Sequence, residues 1–106
     1  KFEINAERVS PISNVSIPFG KNKPLYSEKD FFKASGYIEV NGKRYESNEN
    51  STAIIDDHKG YYPFKAHYDW LTTMSKIKID GTDQYFGFNL TRNQSIDQDK
   101  YNENIV

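Results

Sequence analysis

The chain has no cysteine, so neither a disulfide framework nor thiolate chemistry is available to it. That absence fits a cytoplasmic protein, the location expected here. Charge of one sign is also lacking. Fourteen basic and fifteen acidic residues are interspersed for a net charge of −1, which leaves no basic face for phosphates, and no nucleic-acid partner is expected. No apolar run approaches the ~20 residues of a membrane span. Apolar residues are few altogether, 36% against a usual ~45–50%.

What apolar content exists is aromatic: eight Tyr, seven Phe and one Trp among 106 residues. Such residues favour pleated, half-buried surfaces over helix interiors. The length suits a single domain spanning residues 1–106, with a thin core. The alternating start at Lys1-Phe2-Glu3-Ile4 and the apolar end at Ile105-Val106 suggest a domain or fragment excised from a larger β protein.

Local signals give the elements. Lys1 to Val9 reads as a strand ended by Pro11, and Val15 to Phe19 alternates before the loop from Gly20 to Pro24. Ser27 resembles a cap for one helical turn over Asp30 to Ala34. Asn41-Gly42 predicts a type I′ hairpin, with Val40 facing Lys43, Ile38 facing Tyr45, and a Glu39/Arg44 ion pair on the other face. Thr52 to Asp56 is a strand running into a loop from Asp57 to Pro63. Asp80-Gly81 marks a second hairpin, from about His67 to Ile79 and back from Gln84 to Thr91. One of its faces gathers Ile77, Ile79, Phe86, Phe88 and Leu90 and is expected to be core. The other gathers Trp70, Thr72, Met74, Tyr85, Gly87 and Asn89. That mixture suits the lining of a pocket, or an exposed sheet face decorated with one Trp.

Three stretches carry a resemblance: Asp56-Asp57-His58-Lys59-Gly60-Tyr61-Tyr62-Pro63 with Asp69-Trp70, then Gly87-Phe88-Asn89-Leu90-Thr91, then Tyr101-Asn102-Glu103-Asn104. In this order they resemble a bacterial family known as domain of unknown function 2804, from about Asn14 onward. Members of that family are longer than this chain. The resemblance implies a lipocalin-like (calycin-like) antiparallel barrel or open sheet, distantly similar to the carotenoid-hydratase (hydroxyneurosporene synthase) group of double lipocalin-like proteins. The family's recurrent residues fall here on Asp57, Gly60, Trp70, Gly87, Asn89, Asn102 and Glu103.

Chemistry is sought first near His58. A carboxylate beside a histidine at a pocket rim can protonate a double bond or activate water, so Asp57 and His58 are the catalytic candidates. Asp57 can equally hold the Gly60 turn through backbone hydrogen bonds. Trp70, Tyr62, Asn89 and Gly87 are the ligand-binding candidates, with Gly87 leaving a gap in the wall beside Trp70. Core packing is the competing role for the aromatics, and Asn89 can equally satisfy a neighbouring backbone group. Asp56, Asp57, His58, His67 and Asp69 are suitable ligand types, but their spacing matches no compact metal site, and neither metal nor cofactor is expected. The expected function is binding of a hydrophobic or amphipathic small molecule, within a hydratase- or isomerase-type enzyme or outside one. Carbohydrate binding and a purely structural role against a second β domain are the rivals. A lipocalin barrel needs ~8 strands to close around a small ligand and the chain offers about six to eight short ones, so an open or distorted sheet is expected, its exposed edge pairing with another copy or domain.

Overall fold

Two dipeptides turn the chain back on itself. Asn41 and Gly42 hold φ of 51° and 77°, and Asp80 and Gly81 hold 50° and 79°. Positive φ at both central residues is the type I′ geometry, whose twist matches the strands it joins. The computed structural model describes residues 1–93 and 95–106. Around the turns it places seven strands: β1 (Phe2–Arg8), β2 (Ser13–Pro18), β3 (Pro24–Val40), β4 (Lys43–Glu46), β5 (Thr52–Gly60), β6 (Asp69–Ile79) and β7 (Thr82–Arg92). Every pairing is antiparallel. The fold is all-β, and among the described residues no helix is long and apolar enough to cross a membrane.

β3 organises one sheet. Its first half pairs with β2 and β5, and its second half with β1 and β4. Because Leu25 to Lys29 have partners in both β2 and β5, these two strands lie on opposite edges of β3. The same reasoning at Tyr37 and Ile38 separates β1 from β4. The stretch Ser27 to Ala34 is therefore strand, not the helical turn expected from Ser27. Lys29, Asp30, Phe31 and Phe32 are buried in succession, the pattern of a strand covered on both faces, and tertiary pairing overrides a weak local cap.

The first hairpin has the predicted register, with Val40 opposite Lys43 and Ile38 opposite Tyr45. Arg44, however, stacks over Tyr37 at 3.5 Å and bonds Glu46 instead of Glu39. β5 continues to Gly60 where a loop was expected after Asp56, since pairing with β3 persists to Leu25 opposite Gly60. Glycine is required there. Its φ is 146°, and a Cβ would fall 2.3 Å from the Pro24 carbonyl oxygen.

β6 and β7 form a separate two-stranded sheet. The two sheets do not close into a barrel, and the molecule measures 45 × 41 × 20 Å. Ile79 opposite Thr82 fixes the register. Leu71, Ile77, Phe86, Phe88 and Leu90 then share one face, and Trp70, Met74, Gly87 and Asn89 share the other. The burial runs against expectation. Leu71, Phe86 and Leu90 are 57%, 44% and 40% exposed, whereas Asn89 is 1% exposed. The mixed face turns inward because it carries the seats for other elements. Gly87 receives the Phe31 ring, and Asn89 receives the C-terminal segment through paired backbone hydrogen bonds with Ile105, both 2.8 Å. The apolar core is small: Ile17, Leu25, Phe31, Phe32 and Ile105.

Candidate functional site

Alternation along β5 sends Asp56 and His58 to the side of the sheet that also carries Leu25, Ser27 and Lys29, through the register Lys29–Asp56 and Ser27–His58. Lys29 is 1% exposed. Its ammonium bonds the Asp56 Oδ1, lies 3.0 Å from His58 Nε2 and lies 3.3 Å from Glu103 Oε2. His58 Nε2 is itself 2.8 Å from Asp56 Oδ1 and 3.5 Å from Glu103 Oε2. Burying an ammonium costs several kcal/mol unless charge and hydrogen bonds compensate. Two carboxylates do so here. One ring nitrogen cannot both accept from Lys29 and donate to Asp56, so His58 has two alternative arrangements that differ in where a proton sits. Among the described residues, no group of three or more His, Cys, Asp or Glu side chains is placed to hold a metal ion. Between Asp56, His58 and Glu103 sits the Lys29 ammonium.

Glu103 reaches this centre from the far end of the chain, by a hydrogen-bonded relay from β7. The Asn89 side chain donates to the Glu103 carbonyl at 2.7 Å and accepts from Trp70 Nε1 at 2.7 Å. The Glu103 backbone N–H donates to Thr91 Oγ1 at 2.8 Å. Asn104 and Asn102 accept from the backbone N–H groups of Thr91 and Asn93 at 2.9 and 3.2 Å. Side-chain amides thus replace a regular strand ladder in holding the last residues against β7.

Above the charged centre lies a cavity of about 120 Å³. Asp56, His58 and Glu103 form its floor, and Phe19, Tyr62, Tyr68 and Trp70 its aromatic wall. The His58 and Tyr62 rings are 6.1 Å apart. Burial, and then the carboxylates of Glu103 and Asp56, raise the Tyr62 phenol above its ordinary value, so it stays a hydrogen-bond donor. An adjoining polar groove is lined by Asp69, Arg92 and Gln98 and shares His67, Tyr68 and Asn93 with the cavity.

The structure brings His58, Tyr62 and Trp70 together in one cavity. Asn89 stands behind the wall, orienting the indole and holding the Glu103 backbone. Asp57 is exposed and opposite Glu28, on the other side of β5. Because β5 remains a strand there, its neighbour Asp56 takes the place expected of Asp57. Gly87 lies apart from the cavity. The gap it leaves is filled, since a Cβ there would be 3.0 Å from Phe31 Cε1, and it borders a different groove shared with Met74 and Val106. Lys29 and Glu103 are the site residues that motif reasoning did not assign. Period-two spacing from His58 marks Asp56, and the family motif contains Glu103, but Lys29 lay hidden in the stretch read as a helix.

The chain belongs to the family described as Domain of unknown function (DUF2804), which matches residues 1–106. The match covers the whole chain, beginning ahead of Asn14, where the resemblance was expected to start. No curated protein and no solved structure matches it.

Proposed function

We propose that this domain is a lipocalin-like small-molecule binder whose cavity between His58 and Trp70 takes one end of a hydrophobic or amphipathic ligand. The observation that carries the proposal is the pairing of an aromatic wall with a charged floor, Phe19, Tyr62, Tyr68 and Trp70 over Asp56, His58 and Glu103. Small-molecule sites combine apolar walls with a few convergent polar groups in this way. Size limits what enters. Sites for drug-sized ligands run to ~300–1,000 Å³, and a ~150 Å³ cavity holds a benzene-sized group. At about 120 Å³, this cavity accommodates a head group or chain end, with the remainder of the ligand outside it.

In a hydratase or isomerase of the carotenoid-hydratase kind, His58 is the proposed proton donor and acceptor and Asp56 its partner, with Lys29 compensating the charge. Titrating lipids, isoprenoids and oligosaccharides against the fluorescence of Trp70, the sole tryptophan, tests the reading. Saturable shifts with lipids or isoprenoids, lost in Tyr62→Leu, are expected. Response to oligosaccharides alone transfers the site to the carbohydrate reading, and no response to any class removes the binding role.

A second reading, that the domain packs against another β layer, draws on a different observation. Phe2, Ile38, Val40 and Tyr45 on the outer face of the β1–β3–β4 region are 75%, 46%, 53% and 52% exposed, and apolar patches of this kind mark interaction surfaces. The proposed cover is a second copy or a second β domain. Light scattering across a concentration series measures the first of these directly.

A further inference from the structure

We infer that the group received by the aromatic cavity is an organic ammonium, a cationic alkylated amine, rather than a carboxylate or a neutral alcohol. The inference rests on the small-molecule reading above and goes beyond it by fixing the charge of the ligand's buried end.

Three observations converge on it. Among the described residues, the cavity lining contains two carboxylates, Asp56 and Glu103, two histidines, His58 and His67, and neither lysine nor arginine. The one cation at the centre, Lys29, is 1% exposed and behind the floor. Two carboxylates, Asp56 and Glu103, share the single Lys29 ammonium, so the lysine cancels only one of the two negative charges. A buried or half-buried charge without a partner is costly, and an anionic head group would add to the surplus, whereas a cation would cancel it. The raised phenol of Tyr62 is driven, after burial, by these same two carboxylates and reports the same negative potential at the wall.

The wall supplies the second requirement. Trp70 and the rings of Phe19, Tyr62 and Tyr68 line the space. The only polar atom of the indole is already committed to Asn89 at 2.7 Å, so what Trp70 offers a ligand is its π surface. Aromatic faces attract alkylated ammonium ions through the ring quadrupole, most strongly for Trp and where water is excluded. The third observation is size. About 120 Å³ suits a compact branched group such as trimethylammonium. Long-chain carboxylates, the usual cargo of an apolar cavity with a basic end, lack a cationic anchor in the lining.

The test uses the chain as it stands and a matched set of probes followed by Trp70 fluorescence: choline, its neutral carbon isostere neohexanol, and the carboxylate of the same branched shape. Choline is expected to bind roughly two- to fivefold more tightly than neohexanol, the ratio of a cation–π contact at rings such as Trp70 and Tyr62 that remain half exposed, and the carboxylate not to bind. Tyr62→Leu removes wall contact for both probes and the π face for choline alone, so it should weaken choline by a larger factor than neohexanol. Glu103→Gln should reduce the choline preference likewise, with circular dichroism showing that the sheet persists. Equal binding of choline and neohexanol overturns the ammonium inference but leaves the pocket reading intact. Binding of isoprenoids with no response to choline does the same. Absence of any response from every probe overturns both.

Discussion

The two ends of β3 are covered differently. In its first half, the covered positions include Ser27 and Lys29, at 0% and 1% exposure, facing Asp56 and His58 of β5. In its second half and along its partners, Phe2, Ile4, Ile38, Val40 and Tyr45 lie exposed. Hydrophobicity alone would have chosen the reverse. The difference shows that burial in this domain is decided by which face receives another element. The C-terminal segment, carrying Glu103 and Ile105, closes over the polar face near Asn89, while among the described residues no element covers the apolar outer face. A polar interior held by a relay of side-chain hydrogen bonds is the kind of structure that shapes a site. An uncovered apolar sheet is the kind that seeks a cover.

The sharpest way to break this comparison is to remove the charge at its centre. Lys29→Met keeps the length of the side chain but leaves Asp56 and Glu103 facing each other without a cation. Loss of one member of a buried ion network costs ~3–5 kcal/mol, a large part of the ~5–15 kcal/mol that holds a domain folded. Urea unfolding at neutral pH should show that loss. A change below ~1 kcal/mol would mean that the polar centre is solvated and does not organise the fold.

Gly87 tests how the two sheets meet. Valine there would press on Phe31 Cε1, 3.0 Å from the ideal Cβ, and on the Thr73 carbonyl oxygen at 3.2 Å. Overpacking of this kind costs ~1–3 kcal/mol. Because the main clash is with one ring, Phe31→Leu in the same chain should reduce the cost, and a double-mutant cycle measures the coupling. Additive effects would remove Phe31 as the contact that turns the mixed face inward.

Much of the fold was legible before the structure. Asn41-Gly42 and Asp80-Gly81 fixed two turns and the parity of every residue in both hairpins, because a two-residue loop admits one register. Parity also placed Trp70 and Asn89 on one face. Which face would be buried was not legible, since Phe86 and Leu90 outrank Thr72 and Asn89 on any hydrophobic scale and only long-range contacts decide the matter. The site was half legible. His58, Tyr62 and Trp70 lie in one compact motif, whereas Asp56 stands beside His58 only because pairing with β3 extends β5 to Gly60. Lys29 could not be found from pattern, because a buried lysine is recognised only through partners 27 and 74 residues away, at Asp56 and Glu103.

The smallest expected effect lies on the outer face. Val40 is 53% exposed beside the Asn41-Gly42 turn, among Phe2, Ile38 and Tyr45. Val40→Thr exchanges a methyl for a hydroxyl of the same size and keeps the β-branch that suits a strand. The hydroxyl meets water, so no polar group is buried and little apolar area is lost. Stability should change by no more than about 0.5 kcal/mol in urea at low protein concentration, as for other surface substitutions. The same substitution under a covering layer would bury an unsatisfied hydroxyl, at ~1–3 kcal/mol. Protein concentration separates the two situations. If a second copy covers the face, the wild-type midpoint should rise with concentration, and Val40→Thr should flatten that rise. A loss above ~1 kcal/mol that is independent of concentration would place Val40 in an interior of the monomer, and the contrast between the two halves of β3 would no longer hold.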